Sequence, residues 1–309
     1  TKITGSLTAS NTITGGAGSD QIIAGNLADI IISGAGNDII VTGAGNDIVT
    51  VASGTNSIDG SAGGAHAFIG GTGADTIIGG GGVETIISGD GNDIITLAAG
   101  NDIVNAGNGN NSINGSGGGT HGIISGTGND IIIGGANVDT IVSGGGNDII
   151  VTGAGNDIVT VASGTNSIDG SAGGAHAFIG GTGADTIIGG TGVETVSAGD
   201  GNDIITTNAG NDIIVAGPGN DTITPGAGVD VIKSGAGADI LLILDANNVD
   251  TVFLHDAELG TAAAAQTLAA GVDSVTGFEF ASGKDKISID ISAITAISGV
   301  IRFSLAGNA

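Results

Sequence analysis

Acidic residues stand nine positions apart along most of this chain. They are Asp20, Asp29, Asp38 and Asp47, then Asp75, Glu84, Asp93 and Asp102, then Asp130, Asp139, Asp148 and Asp157, and finally Asp185, Glu194, Asp203, Asp212, Asp221, Asp230 and Asp239. Asn11, Asn56, Asn111 and Asn166 continue the count in register, and His66, His121 and His176 fill the gaps between runs after one extra residue. A column of 26 rungs therefore runs unbroken from Asn11 to Asp239. Two residues after every rung stands an apolar side chain, from Ile13 and Ile22 through to Ile232 and Leu241. A nine-residue unit with one inward side chain on a short strand and a turn can bury nothing alone, so the units must stack. Stacked, they predict two parallel sheets around a thin isoleucine ladder, with two nonapeptides making one 18-residue coil.

A longer period lies above this one, because 55 residues separate Asp20 from Asp75, Asp75 from Asp130 and Asp130 from Asp185. Fifty-five is three coils plus one inserted residue. Residues 36–80 recur without change as 146–190, so a 110-residue duplication built much of the chain. The whole number of coils is expected to keep the Asn rungs on one edge of the stack and the His rungs on the other.

Composition narrows what can hold such a stack together. Sixty-four of 309 residues are Gly, and each Gly in regular structure costs roughly 0.5–1 kcal/mol relative to Ala. There is no Cys to offset this by cross-linking, and no Met, Trp or Tyr. A formal charge of −26 repels nucleic acid and anionic membranes and points to cations as partners. No run of 18 apolar residues could span a bilayer as a helix, and no cleavable leader is visible; the start at Thr1 reads as a piece of a longer protein.

The loops that precede the acids read Ser-Gly-Ala-Gly-Asn-Asp at 33–38, Thr-Gly-Ala-Gly-Asn-Asp at 42–47 and Ser-Gly-Asp-Gly-Asn-Asp at 88–93. Glycine permits a positive φ that turns carbonyls inward, and the acid adds a carboxylate at the loop's end. Oxygen ligands of this kind suit several Ca²⁺ ions, with the nineteen acids of the column as the candidate metal ligands. Stacking sets like charges roughly 5 Å apart, where each pair repels by about 3 kcal/mol at an effective dielectric constant of 20. Cations between coils would reverse that sign. Without Cys, and with only four His, zinc is a poor fit, and the three rung His, 55 residues apart, read as spacers at the insertion.

These loops resemble the Gly-Gly-x-Gly-x-Asp-x-U-x nonapeptide of the RTX, or hemolysin-type, calcium-binding family, and Gly70-Gly71-Thr72-Gly73-Ala74-Asp75 and Gly180-Gly181-Thr182-Gly183-Ala184-Asp185 fit it in full. The resemblance covers about residues 11–242. Departures occur at Gly25-Asn26-Leu27-Ala28-Asp29 and Gly134-Gly135-Ala136-Asn137-Val138-Asp139, at Glu84 and Glu194, and at the Asn and His rungs. The resemblance implies an all-β, right-handed parallel β-roll over residues 1–242. It also implies export from a Gram-negative bacterium by type I secretion machinery, with folding outside the cell or at its surface. Residues 243–309, with Asp250-Thr251-Val252-Phe253 and Gly271-Val272-Asp273-Ser274-Val275-Thr276-Gly277-Phe278, look like the β-rich segment that closes many such rolls near their secretion signal.

No His-Glu-x-x-His, Gly-x-Ser-x-Gly or P-loop occurs, so the segment reads as structural rather than enzymatic. The residues flanking each inward position on its strand should face solvent, yet 26 of those 52 are Ile, Val or Leu, among them Ile39, Val41, Ile131, Ile133, Ile149 and Val151. Such stripes suggest self-association into an extracellular assembly, as in the surface-layer proteins that carry similar rolls. Cell-surface polysaccharide is a further candidate partner. Two other roles stay open: a stalk or ligand-binding module of a giant adhesin, and the calcium module of a secreted toxin or hydrolase.

Overall fold

Each rung leads into a strand of three to six residues such as Ile39–Val41, Ile48–Ser53, Ser57–Asp59 and Ala67–Ile69. Isoleucine and valine favour the strand, and the glycine-rich loop on either side ends it. The computed structural model describes residues 1–237, 239–242, 250–253, 274–276 and 286–287, and among these every regular element is a strand. Successive strands alternate between two parallel sheets of 15 strands each among the described residues. The first sheet holds Ile39–Val41 and Ser57–Asp59, and the second holds Ile48–Ser53 and Ala67–Ile69. The expected β-roll of 18-residue coils is the fold.

Pairing is in register along the whole stack: Ile22 faces Ile40, Ile40 faces Ile58, Ile58 faces Ile77, and Ile77 faces Ile95. The third of these steps spans nineteen residues. The extra residue is absorbed in the loop that ends at His66, so the strands stay aligned and all 26 apolar residues of the column are buried. A one-residue slip within a strand would instead have turned an isoleucine to solvent.

One expectation needs correcting. Many units send in two side chains, because the residue four places after the rung also points inward by the two-residue alternation, and glycine stands there in others such as Gly60 and Gly115. Ala24, Val51, Leu97, Ala106, Val161, Ala198 and Ala216 fill these places, and Ser33, Thr42, Ser88, Ser125, Thr152 and Thr207 are buried there too. Three of the polar members are accommodated because their hydroxyl donates to a carbonyl one coil on, Ser88 to Ala106 at 3.0 Å, Ser125 to Ser143 at 3.0 Å and Thr207 to Pro225 at 2.8 Å.

The stacking continues past Leu242. Thr251–Phe253 pairs with Val231–Ala236 in the second sheet, Ser274–Thr276 joins the first, and Lys286–Ile287 joins the second. Apart from these strands and Asp250, the closing segment expected over 243–309 lies outside the described residues.

Candidate metal centre

The two loop edges of the roll carry the acid column. Loops leading into the first sheet place Asp20, Asp38, Asp75, Asp93, Asp130, Asp148, Asp185, Asp203, Asp221 and Asp239 along one edge, and loops leading into the second sheet place Asp29, Asp47, Glu84, Asp102, Asp139, Asp157, Glu194, Asp212 and Asp230 along the other. All nineteen are buried, Asp20 being the most accessible at 4%. Asn56, Asn111 and Asn166 lie on the first edge and the three His on the second, as the 55-residue period requires. Asn11, however, lies on the His edge. It sits 18 residues before Asp29, and its backbone N–H donates to Asp29 Oδ1 at 2.5 Å.

A single hydrogen-bond rule organises both edges. At most rungs the backbone N–H donates to the side chain of the rung one coil later; Glu84 and Glu194 do not accept in this way. Asp130 donates to Asp148 Oδ1 at 2.9 Å, Asp139 to Asp157 Oδ1 at 2.8 Å, and Asp185 to Asp203 Oδ1 at 2.8 Å. Asn166 takes the same place by accepting from Asp148 N–H at 2.9 Å, while its amide donates to Asp185 Oδ1 at 2.9 Å. The His rungs, expected only as spacers, belong to this ladder too. His176 Nδ1 accepts from Asp157 N–H at 3.2 Å, which leaves Nε2 as the donor to the Gly170 carbonyl at 3.0 Å, the pattern of a neutral imidazole. His66 is bound alike, and each of the two stacks on the Phe two residues on, with ring centres 5.2 Å apart. A Cβ on Gly60 would lie 2.7 Å from Phe68 and 3.0 Å from His66, so the missing side chain there makes the room.

The glutamates also fit without leaving the column. Their extra methylene uses space vacated by Gly79 and Gly189; a Cβ on Gly189 would stand 2.8 Å from Glu194 Cγ. Their own N–H groups are capped by Asp102 and Asp212, each at 2.8 Å.

Several aspartates thus use one carboxylate oxygen for structure and leave the other over, whereas neither Oε of Glu84 or Glu194 has a hydrogen-bond partner. Oδ2 of Asp75, Asp139, Asp148, Asp185 and Asp203 is buried with no hydrogen-bond partner. Asp29 differs, because Gly25 N–H donates to its Oδ2 at 2.8 Å. Loss of hydration raises the pKa values of several of these acids: Asp75, Asp130, Asp139 and Asp185 reach about 6 and Asp221 about 7. The neighbouring carboxylate one coil away adds to each, Asp93 beside Asp75 and Asp148 beside Asp130 for instance. Burial, and then Asp102 and Asp212, push Glu84 and Glu194 up as well. A row of buried, unpartnered carboxylate oxygens facing like charge calls for a cation.

The loops add backbone oxygen. Gly34 has φ +95°, and a Cβ there would collide with the carbonyl oxygen of Gly16 one coil earlier, so glycine is required by conformation and by close approach. Among the described residues no three His, Asp or Glu side chains converge on one point. The available donors are carboxylate pairs one coil apart together with carbonyls, an all-oxygen set that suits Ca²⁺ and not zinc.

Two elements of the site were not read from sequence. Asp250 extends the column, accepting from Asp230 N–H at 2.9 Å, and Val252 extends the core. Its signal was the Asp-x-Val spacing, hidden by an eleven-residue step from Asp239. The Asn before the acid forms a second, exposed ladder of opposite sense. Asn129 Oδ1 accepts from Asn147 N–H at 2.7 Å, and Asn147 Oδ1 accepts from Thr165 N–H at 2.8 Å.

A family model, RTX calcium-binding nonapeptide repeat (4 copies), matches residues 8–31, 23–58, 67–95, 89–119, 123–150, 143–174, 178–205, 188–223 and 206–241. No curated protein matches the chain.

Proposed function

Because the chain belongs to the RTX calcium-binding nonapeptide repeat family, we propose that its rolled coils are the calcium-dependent structural part of an exported bacterial surface protein, and that they assemble with copies of themselves into a layer or filament. Repeats of this family bind calcium, and the proteins that carry them are typically exported by type I secretion. Calcium would supply positive charge between coils and would be held there by the chain's own carboxylate and carbonyl oxygens. The proposed ligands are the free oxygens of acid pairs one coil apart, such as Asp75 with Asp93, Asp130 with Asp148, and Asp139 with Asp157, together with loop carbonyls. The remaining acids of the column are further proposed ligands, Glu84 and Glu194 with both oxygens and Asp29 with an Oδ2 that already accepts from Gly25 N–H. At the Asn and His rungs the ladder keeps its hydrogen bond and loses its charge, so ions are expected in groups separated by these rungs. In this reading the segment catalyses nothing and works as a rigid spacer whose order depends on the external medium.

The observation that carries the assembly part is the composition of the outer faces. Ile39, Ile94, Ile131, Ile149 and Ile204 on the first sheet are about half exposed, as are Ile48, Ile103, Ile158 and Ile213 on the second. They line up only once the coils have stacked, so assembly should require calcium.

The test has two readouts on one sample. Far-UV circular dichroism should show a largely disordered chain in chelator and β structure in millimolar Ca²⁺, and light scattering should show growth of particles only with Ca²⁺. A spectrum indifferent to chelator would remove the calcium role. A calcium-loaded, folded monomer at high concentration would remove self-assembly and favour a stalk or calcium module of a larger secreted protein.

A further inference from the structure

The two outer faces differ in charge. On the first sheet, Asp59 and Asp169 stand among the outward positions, between Val41 and Ile78 and between Val151 and Ile188. On the second sheet, the outward positions from Thr12 to Lys233 include no acid at all, and Lys233 is the one charged residue among them. That is a neutral face on a chain with 31 acidic residues.

This neutral face also has relief with a fixed period. Ile48 lies beside Ala67, Ile103 beside Gly122, and Ile158 beside Ala177, and the next strands bring Thr85, Thr140 and Thr195 before the following isoleucine. A bump, a hollow and a threonine therefore repeat every three strands, about 14 Å. The bumps are exposed, Ile103 at 59% and Ile48 at 49%, and the hollow at Gly122 has nothing within 4 Å of where its Cβ would be.

We infer that the outer face of the second sheet is where a second copy of this chain docks, isoleucine bumps of one copy entering the Ala67, Gly122 and Ala177 hollows of the other. The inference rests on the self-assembly reading above and specifies its surface. A copy turned about a two-fold axis lying in the interface, perpendicular to the stacking direction, presents the same series in reverse, so every bump can meet a hollow at one common register. The thirteen strands between Thr12 and Ala236 span about 60 Å by about 10 Å. That gives about 600 Å² from each copy and about 1,200 Å² in all, the lower bound for a stable specific interface. Docking through this face desolvates no carboxylate, whereas the first sheet would have to bury Asp59 and Asp169.

The test fills the hollows. Ala67→Leu, Gly122→Leu and Ala177→Leu together add side chains that project away from the roll, so folding in Ca²⁺ should persist by circular dichroism. Sedimentation velocity should show the dissociation constant raised on the order of 100-fold or more. The matched control, Ser57→Leu, Ser112→Leu and Ser167→Leu on the first sheet, should associate like the parent. If both triple variants associate like the parent, or only the control loses association, the second-sheet face is wrong while self-assembly stands; if the parent itself stays monomeric, self-assembly has failed first. Should the filled variant not fold, shaving the bumps with Ile48→Thr, Ile103→Thr and Ile158→Thr provides the same decision: retained association overturns the inference, and loss in a folded roll supports it.

Discussion

The two loop edges of the roll meet one requirement by different chemistry. From Asp20 to Asn166, the first edge runs in a cycle of two acids and an asparagine; from Asp29 to His176, the second runs in a cycle of two acids and a histidine. Asparagine replaces aspartate atom for atom, and its Oδ1 caps the preceding coil with no change of spacing. Histidine reaches the same N–H with Nδ1, but comes with an inserted residue, a carbonyl partner for Nε2, a glycine that clears space and, at two of three rungs, a stacked phenylalanine. The Asn and His rungs keep the acceptor and give up the charge. The aspartates that cap the preceding coil consequently have two separable duties, one for each carboxylate oxygen.

The largest effect expected from this division is on pH dependence without metal. The folded-state pKa values of Asp75, Asp130, Asp139 and Asp185 are raised to about 6 and that of Asp221 to about 7, from an ordinary value of 3.8. A carboxyl whose pKa is higher folded than unfolded binds more protons folded, so its penalty is absent below the unfolded value and grows as pH rises to the folded one. In chelator, β structure should therefore be recovered toward pH 4 and lost by about pH 7, measured by circular dichroism at low protein concentration. Calcium competes with the same protons, so its affinity should rise across that window. A chelated chain equally disordered at pH 4 and pH 8 would show that carboxylate charge does not set the metal requirement.

Next in size is the contrast between an acid rung and its neutral neighbour. Asn166→Ala leaves the buried N–H of Asp148 without its acceptor, a loss of about 1–3 kcal/mol. Asp148→Ala removes the acceptor for Asp130 and also a calcium ligand, so it should cost more and should weaken calcium binding. Calcium titration followed by circular dichroism would show a shifted midpoint for Asp148→Ala and a smaller shift for Asn166→Ala; equal shifts would merge the two duties.

Smallest is the difference among the histidines. His176 stacks on Phe178, whereas the residue in that position beside His121 is Ile123. Replacing each by Asn should destabilise the calcium-loaded roll more at 176 than at 121, by about 0.5–1.5 kcal/mol in denaturant melts.

The outline of the fold was open to reading because its signal recurs at every rung. An apolar residue two places after Asn11, Asp20, Asp29 and the rest leaves one stacking solution, and the acid column itself is the ruler. The second inward column was not readable in the same way. Ser88, Ala106, Gly115 and Leu97 share no chemistry, since local space, set by neighbours such as His121 beside Gly115, selects each one. The candidate acids are visible individually, but that many of the aspartates commit one oxygen to the preceding coil follows only from the 18-residue hydrogen bonds. Asn11 shares its residue type with the asparagines of the first edge but lies on the second, because edge is decided by parity along the column. Asp250 escaped because the step before it is two residues too long.

Identical stretches at 36–80 and 146–190 lie six coils apart in a stack where each strand pairs only with the strands one coil away. A coil at the end of one stretch meets the same side chains whichever stretch it is offered, whether from its own chain or from another molecule. Contact energy cannot distinguish these pairings, and only chain continuity and the order in which coils become available do so. A roll of interchangeable parts therefore owes its correct threading to time: coils must close on neighbours already in place before a distant twin arrives.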